Sequence, residues 1–241
     1  MDNTVYTTLT RQSGLMDQME AIANNIANLS TTGFRREGVM FSEYVQRLDG
    51  AEPSLSMATA NIRAIDLSPG ALNRTGGRYD LAIEGAGFFL LDTPDGQRLT
   101  RAGSFTPNAD GVIVDAAGNA LLDTGGTPVT VPPGAQSVAI GADGTLSADG
   151  APVAQVGLYE PVDANDLSHR SGTGFSARNG IRPATDPGRI RQGYLEDSNV
   201  NPITEVARMV DVQRAYEMGQ SFLDNEDQRI RGAIQTLGKQ E

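Results

Sequence analysis

Between Pro202 and Glu241 the chain has no further proline, and Met209, Tyr216, Leu223, Ile230 and Leu237 recur at a strict interval of seven. An apolar row at that interval marks a helix face that packs along another helix. Pro202 suits the first helical turn, where its missing N–H is one that a helix leaves unpaired anyway. The companion row, Val212, Gly219, Glu226 and Ala233, is weaker, so a self-sufficient two-stranded zipper is not expected. At about 1.5 Å per residue, roughly 35 residues make a rod of about 50 Å, too long for a small β domain to cover. Such a helix needs a helical partner.

The other end of the chain offers one. From Thr4 to about Leu29 there is no proline, and apolar residues fall at helical spacing: Val5, Leu9, Met16, Met19, Ala23 and Ile26, with Leu15, Ile22 and Leu29 in a row beside them. The stripe is wide enough to face a partner. Ser30-Thr31-Thr32-Gly33 ends the pattern, and Gly33 can adopt the left-handed conformation that closes a helix. Asn24, Asn25 and Asn28 lower helix propensity near this end. Either they mark fraying toward Gly33, or they sit in a packed interface where side-chain amides, which both donate and accept, bond across helices.

Between the two ends the period changes to two and turns multiply. Asp80-Leu81-Ala82-Ile83-Glu84 alternates, Gly87-Phe88-Phe89-Leu90-Leu91 reads as a buried strand, and Asp95-Gly96 supplies a hairpin turn. Further strands are predicted at 111–115, 120–122, 129–131, 138–140 and 153–159. Short strands punctuated by Asp-Gly and Pro-Gly turns indicate an antiparallel sandwich or irregular barrel. Residues 37–69 lack sustained periodicity and read as an extended connector, and 160–192, rich in Gly, Ser and Arg, read as loop-heavy.

Composition removes whole classes of chemistry. With no cysteine there is no thiol nucleophile, disulfide or cysteine metal site, and a single histidine, His169, leaves no imidazole cluster for a metal. His169 lies in a polar stretch and reads as an exposed loop residue. A net charge of −11 without a basic cluster argues against nucleic acid. Gly85-Ala86-Gly87 fails as a dinucleotide fingerprint because Leu90 stands where the third glycine belongs. Asp163-Ala164-Asn165-Asp166 opens like a calcium loop, but Gly174 occupies the place of its closing carboxylate. No apolar run of about 18 residues and no secretory signal is present, which taken alone points to the cytoplasm. A carboxylate-only hydrolase acting on the cell wall stays open as an alternative, although no spacing selects a pair of acids.

Three segments carry a resemblance. Ala23-Asn24-Asn25-Ile26-Ala27-Asn28-Leu29-Ser30-Thr31-Thr32-Gly33-Phe34-Arg35 is similar to the N-terminal signature of the bacterial flagellar rod, hook and hook-associated family. Gly70 to Gly76, Asp80 to Phe89 and Thr100 to Phe105 resemble the core motif of its rod and hook members. Gly193-Tyr194-Leu195-Glu196-Asp197-Ser198-Asn199-Val200-Asn201-Pro202, followed by Gln213 to Glu217, is similar to the C-terminal motif. Within the family, the short connector from Phe34 to Gly70 resembles the proximal-rod branch, with the distal-rod branch as the alternative.

The resemblance implies a structural subunit that is not an enzyme, needs no cofactor or metal, and binds no small-molecule substrate. Its partners would be other rod proteins, further copies of itself and the flagellar type III export apparatus. Export without a cleaved signal would place it in the periplasm-spanning rod of the basal body, with no membrane insertion. The expected fold is α+β and mainly β: a central antiparallel sandwich or irregular barrel, with long N- and C-terminal helices pairing as a coiled coil. We assign 1–36 to the N-terminal helix, 37–69 to the connector, 70–192 to the β domain and 193–241 to the C-terminal helix. The expected subunit interface comprises Leu15, Met16, Ile22, Ala23, Asn24, Asn25, Ile26, Asn28 and Leu29 with Met209, Tyr216, Leu223, Ile230 and Leu237. Asp80, Phe88 and Phe89 are expected to hold the β domain together.

Overall fold

Both patterned ends are helical. In the computed structural model, which describes residues 2–46, 55–170 and 172–237, α1 spans Asp2–Ala27 and α2 spans Pro202–Leu237. The start of α2 is set by its sequence: the Asn201 side-chain carbonyl accepts the N–H groups of Ile203 at 3.0 Å and Thr204 at 3.2 Å, and Pro202 follows it as the first helical residue. Past the end of α1, Gly33 takes φ +69°, and a Cβ there would stand 2.2 Å from the backbone nitrogen of Ala102. Conformation and space both require glycine at this position.

The chain divides into two units, one formed by Met1–Ala27, Glu37–Ala64 and Asn201–Glu241, the other by Asn28–Arg36 and Ile65–Val200. In the first, α1 and α2 pack through Leu15, Ile22 and Val212, with Met19, Ile26, Met209, Ala215 and Tyr216 against them. The segment read as a connector contains β1 (Glu37–Gln46) and β2 (Leu55–Ile65), which pair as a two-stranded sheet.

The second unit is built from short strands, and the fold as a whole is α+β and mainly β. Its largest sheet is seven-stranded and open, in the order Leu167–His169, Gly174–Ala177, Gly96–Thr100, Phe89–Thr93, Ala120–Leu121, Ile113–Val114 and Thr106–Pro107. The central strand serves two cores because successive side chains alternate across it. Phe89 and Leu91 join Leu81, Ile113 and Leu121 in one core, while Phe88 and Leu90 join Leu99, Tyr159 and Phe175 in the other. A three-stranded antiparallel sheet of Val138–Ile140, Thr145–Ala148 and Ala151–Gln155, and the strand Arg189–Gln192, which pairs with Leu81–Glu84, border the first core through Val138, Ile140, Leu146 and Ile190.

The loop-heavy residues 160–192 also hold Leu167–His169, Gly174–Ala177, Ile181–Pro183 and Arg189–Gln192 as strands, each too short to display a period. One expectation needs correction. His169 is a strand residue in register with Phe175, not an exposed bystander. Its half-buried ring stacks on Phe34 at 5.1 Å and packs on Phe175 at 4.4 Å, and its Nε2 lies 2.9 Å from the Arg35 carbonyl oxygen. With a carbonyl as the partner, Nε2 is the protonated nitrogen. Asp163 and Asp166, the opening of the failed calcium loop, are occupied within the protein. Asp163 accepts the Asn165 N–H, and Asp166 pairs with Arg178 at 3.2 Å and accepts the Asn179 N–H.

Several turn carboxylates of this unit are hydrogen-bonded in the ionised form. The Thr145 hydroxyl and N–H hold Asp143 below the ordinary carboxylate range, the Ser137 N–H does the same for Asp149, and the Thr185 hydroxyl, with Arg182, for Glu160. A carboxylate whose pKa is depressed by folding contributes stability above its unfolded value, and that stability fades as pH falls through about 4 toward the folded value. The melting temperature of the β unit should therefore be flat from about pH 5 to 7 and fall below about pH 4. Calorimetry across that range checks this, and a melting temperature that rises on acidification would contradict it.

Candidate assembly site

Among the described residues no three His, Asp or Glu side chains are grouped to hold a metal. The chemistry lies in two buried polar clusters and in the surface of the helix pair.

The first cluster belongs to the helical unit and centres on Asn25, which is fully buried. Its amide nitrogen donates to the Glu37 carbonyl at 2.8 Å and to Glu205 Oε2 at 3.1 Å, while its oxygen accepts the Glu37 N–H at 2.8 Å. One side chain thereby ties α1 to the first residue of β1 and to the first turns of α2. Asparagine is suited to this because it offers donors and an acceptor together. Glu205, 1% exposed, uses its other oxygen to pair with Arg208 at 3.1 Å. Asn24 reaches Glu37 Oε2 at 3.5 Å, and Asn28 turns back to accept the Thr31 hydroxyl at 3.1 Å.

The second cluster lies in the β unit. Glu196 is wholly buried between two arginines: Arg35 Nη2 is 2.7 Å from Oε1 and Arg101 Nη1 is 3.2 Å from Oε2. The Gly70 N–H donates to Oε1 at 2.9 Å, and the Glu196 carbonyl accepts the Gly33 N–H at 2.7 Å. Arg35 also donates to the Ser68 carbonyl at 2.8 Å and Arg101 to that of Gly85 at 2.7 Å. Burial pushes the Arg101 guanidinium down to about 10, with Glu196 acting the other way, so it stays charged at neutral pH. Close by, the Asn199 side-chain Oδ1 accepts the Arg36 N–H at 2.7 Å and its Nδ2 donates to the backbone carbonyls of Asp66 and Ser68. Arg35, Arg101 and Glu196 come from the three separate motif segments. The sequence reading passed over this cluster, although these three residues lie inside those motifs; Arg36, Asp66 and Ser68 lie outside them.

The residues expected at the subunit interface divide by exposure. Leu15 and Ile22 are buried in the helix seam, and Met19, Ile26, Met209 and Tyr216 pack partly buried against it. Leu29 and Leu223 are half-buried. Met16, Ala23 and Ile230 are exposed, with Met16 56% accessible. The side chains of Val5 and Leu237 lie outside the described residues. Further apolar side chains face outward on α2: Ile203, Val206, Val210, Met218, Phe222 and Ile234. Asp80, Phe88 and Phe89 lie in the β unit, where Phe88 and Phe89 are core residues and Asp80 accepts the Thr75 hydroxyl at 2.5 Å.

Residues 6–35 match the model for flagella basal body rod proteins, 82–148 that for the flagellar hook protein FlgE/F/G D1 domain, and 191–236 that for the C-terminal part of basal body rod FlgEFG proteins. The chain is 37% identical to the flagellar basal-body rod protein FlgF of Caulobacter vibrioides, over 99% of each chain. It belongs to the flagellar basal-body rod family. It is 34% identical to FlgF of Mesorhizobium japonicum over 99% of each chain, and 29% identical to the rod protein FlgG of Bacillus subtilis over 97% of this chain and 98% of that one. The likeness is thus to FlgF-type members, with the FlgG type weaker. Members of this family are structural, and the hydrolase alternative falls with that assignment.

Both clusters predict measurable losses. Glu196→Gln removes the charge that two buried guanidinium groups share and should destabilise the β unit by about 3–5 kcal/mol, read as a lower midpoint in urea. Asn25→Ala removes the donor to Glu205 Oε2 and the acceptor of the Glu37 N–H and should cost about 2 kcal/mol or more in the helical unit, read as earlier loss of helical circular dichroism, with the β-unit midpoint unchanged. Equal effects of the two variants on both units would contradict the division drawn here.

Proposed function

We propose that this chain is a structural subunit of the flagellar basal-body rod, of the proximal type, which stacks helically with copies of itself and with other rod proteins into the shaft that transmits torque. The observation that carries this reading is the apolar surface that both helices leave exposed along their length, from Leu9 and Met16 on α1 to Ile203, Val206, Met218, Phe222 and Ile234 on α2. A helix pair with no further role would not keep such residues in water, whereas one made to assemble covers them with its neighbours. The distal-rod reading has the weaker likeness to FlgG in its favour.

In this reading α1 and α2 pair as a coiled coil. Gln12, Leu15, Met19, Ile22 and Ile26 alternate by threes and fours on α1, as do Met209, Val212, Tyr216, Gly219 and Leu223 on α2. The buried members hold the pair, and Met16, Ala23, Ile230 and Leu237 meet other subunits. The subunit reaches the rod through the flagellar type III export apparatus without a cleaved signal and works in the part of the rod that spans the periplasm. No described helix is long and apolar enough to cross a membrane.

Leu223, half-buried in the middle of the sevenfold row, tests the seam. Leu223→Asp places a carboxylate in an apolar contact at a cost of several kcal/mol and removes about 2 kcal/mol of apolar burial. It should abolish incorporation into basal bodies and motility while the β unit melts as before. Asp224→Ala, on the exposed face, should be nearly silent. Motility that survives Leu223→Asp at normal expression would sink the seam mechanism.

A further inference from the structure

The helix pair is notched where Gly219 faces α1. The Gln12 side chain lies against Gly219, 3.3 Å from where a Cβ would stand, and beside the two a groove of about 480 Å³ opens, walled by Leu15 on one side and Ala215, Met218 and Phe222 on the other, with Arg11 at its lip. Met218 and Phe222 are 67% and 44% exposed, so the groove is apolar yet open to water. On α1, about 140° around the helix from Arg11, Leu9, Met16 and Ala23 form a second exposed row at intervals of seven. Met16 projects most from this row, and Glu20 follows it one turn later.

We propose that the groove beside Gly219 receives Met16 of a second copy of this chain, the Leu9–Met16–Ala23 row of one copy lying against the Met218–Phe222 wall of the next. The inference rests on the assembled-subunit reading and names the surfaces that would meet. An unbranched thioether is the side chain best able to follow a narrow, irregular notch. The charges are complementary: the groove presents the Arg11 cation, and the inserted row brings the Glu20 carboxylate within one turn of Met16. Knob and groove are different patches of one helix pair, so each copy is donor to one neighbour and acceptor to another. Such a heterologous contact propagates as a helical filament unless its rotation closes a ring.

The chain has no cysteine, so introduced thiols report without background. A chain carrying both Met16→Cys and Met218→Cys, replacing the chromosomal copy and oxidised in purified basal bodies, should give a ladder of dimers and larger species, whereas either single variant should stay monomeric. Single variants that dimerise as readily as the double variant would make the contact symmetric and overturn the proposal. Basal bodies that contain the double variant without any ladder would overturn the contact and leave the rod reading standing; absence of the unaltered chain from basal bodies would overturn the reading itself. If the thiol pair prevents incorporation, charge reversal decides. Arg11→Glu should reduce incorporation at least fivefold and Glu20→Arg in the same chain should restore it, whereas normal incorporation of Arg11→Glu would refute the contact.

Discussion

The joint between the N- and C-terminal segments of the β unit is organised around the carboxylate of Glu196. Removed from water, it has two guanidinium groups and the Gly70 N–H in place of its hydration. Such a cluster adds little net stability over a well-packed apolar equivalent. It does discriminate strongly, because a misplaced Arg35, Arg101 or Glu196 would leave a bare charge in a dry interior. The cluster therefore fixes one arrangement of residues 28–36 against 196–200 and penalises others, which an apolar contact of similar area would not do.

Asn25 applies the same logic in the helical unit with neutral groups. The apolar seam of Leu15, Ile22 and Val212 supplies adhesion, but leucine against valine tolerates sliding. The Asn25 amide does not, because its three partners lie on a strand and a second helix and are satisfied together in one register. Polar side chains in otherwise apolar seams commonly set register at some cost in stability. The three asparagines that weaken α1 as a helix include the residue that places it.

What could be read from the sequence followed from periodicity and capping. Pro202 after Asn201, the Gly33 stop and the strand at Val138–Ile140 were legible because local chemistry decides them. The strands β1 and β2 were not, since Glu37–Gln46 and Leu55–Ile65 mix small, polar and apolar residues without alternation. His169 was misjudged for a different reason: its burial depends on Phe34, far away in sequence, and no local window contains that fact. Glu196 and Arg101 are charged residues, for which exposure is the default expectation, and only their position inside recurrent motifs hinted otherwise.

The segment Gly33–Arg36, the stretch Asp66–Ser68 and the run Glu196–Asn199 are cross-linked by the Gly33-to-Glu196, Asp66-to-Arg36 and Asn199-to-Asp66 hydrogen bonds. These are the places where the β unit hands the chain over to α1, β1, β2 and α2. A pull arriving along any one of these crossings is met by bonds to the others, loaded side by side and not one after another. Side-by-side bonds must fail together, while bonds in series open singly like a zipper. Mechanical strength where these three segments of the β unit meet thus comes from the way they are bonded to one another, and no individual bond there has to be unusually strong.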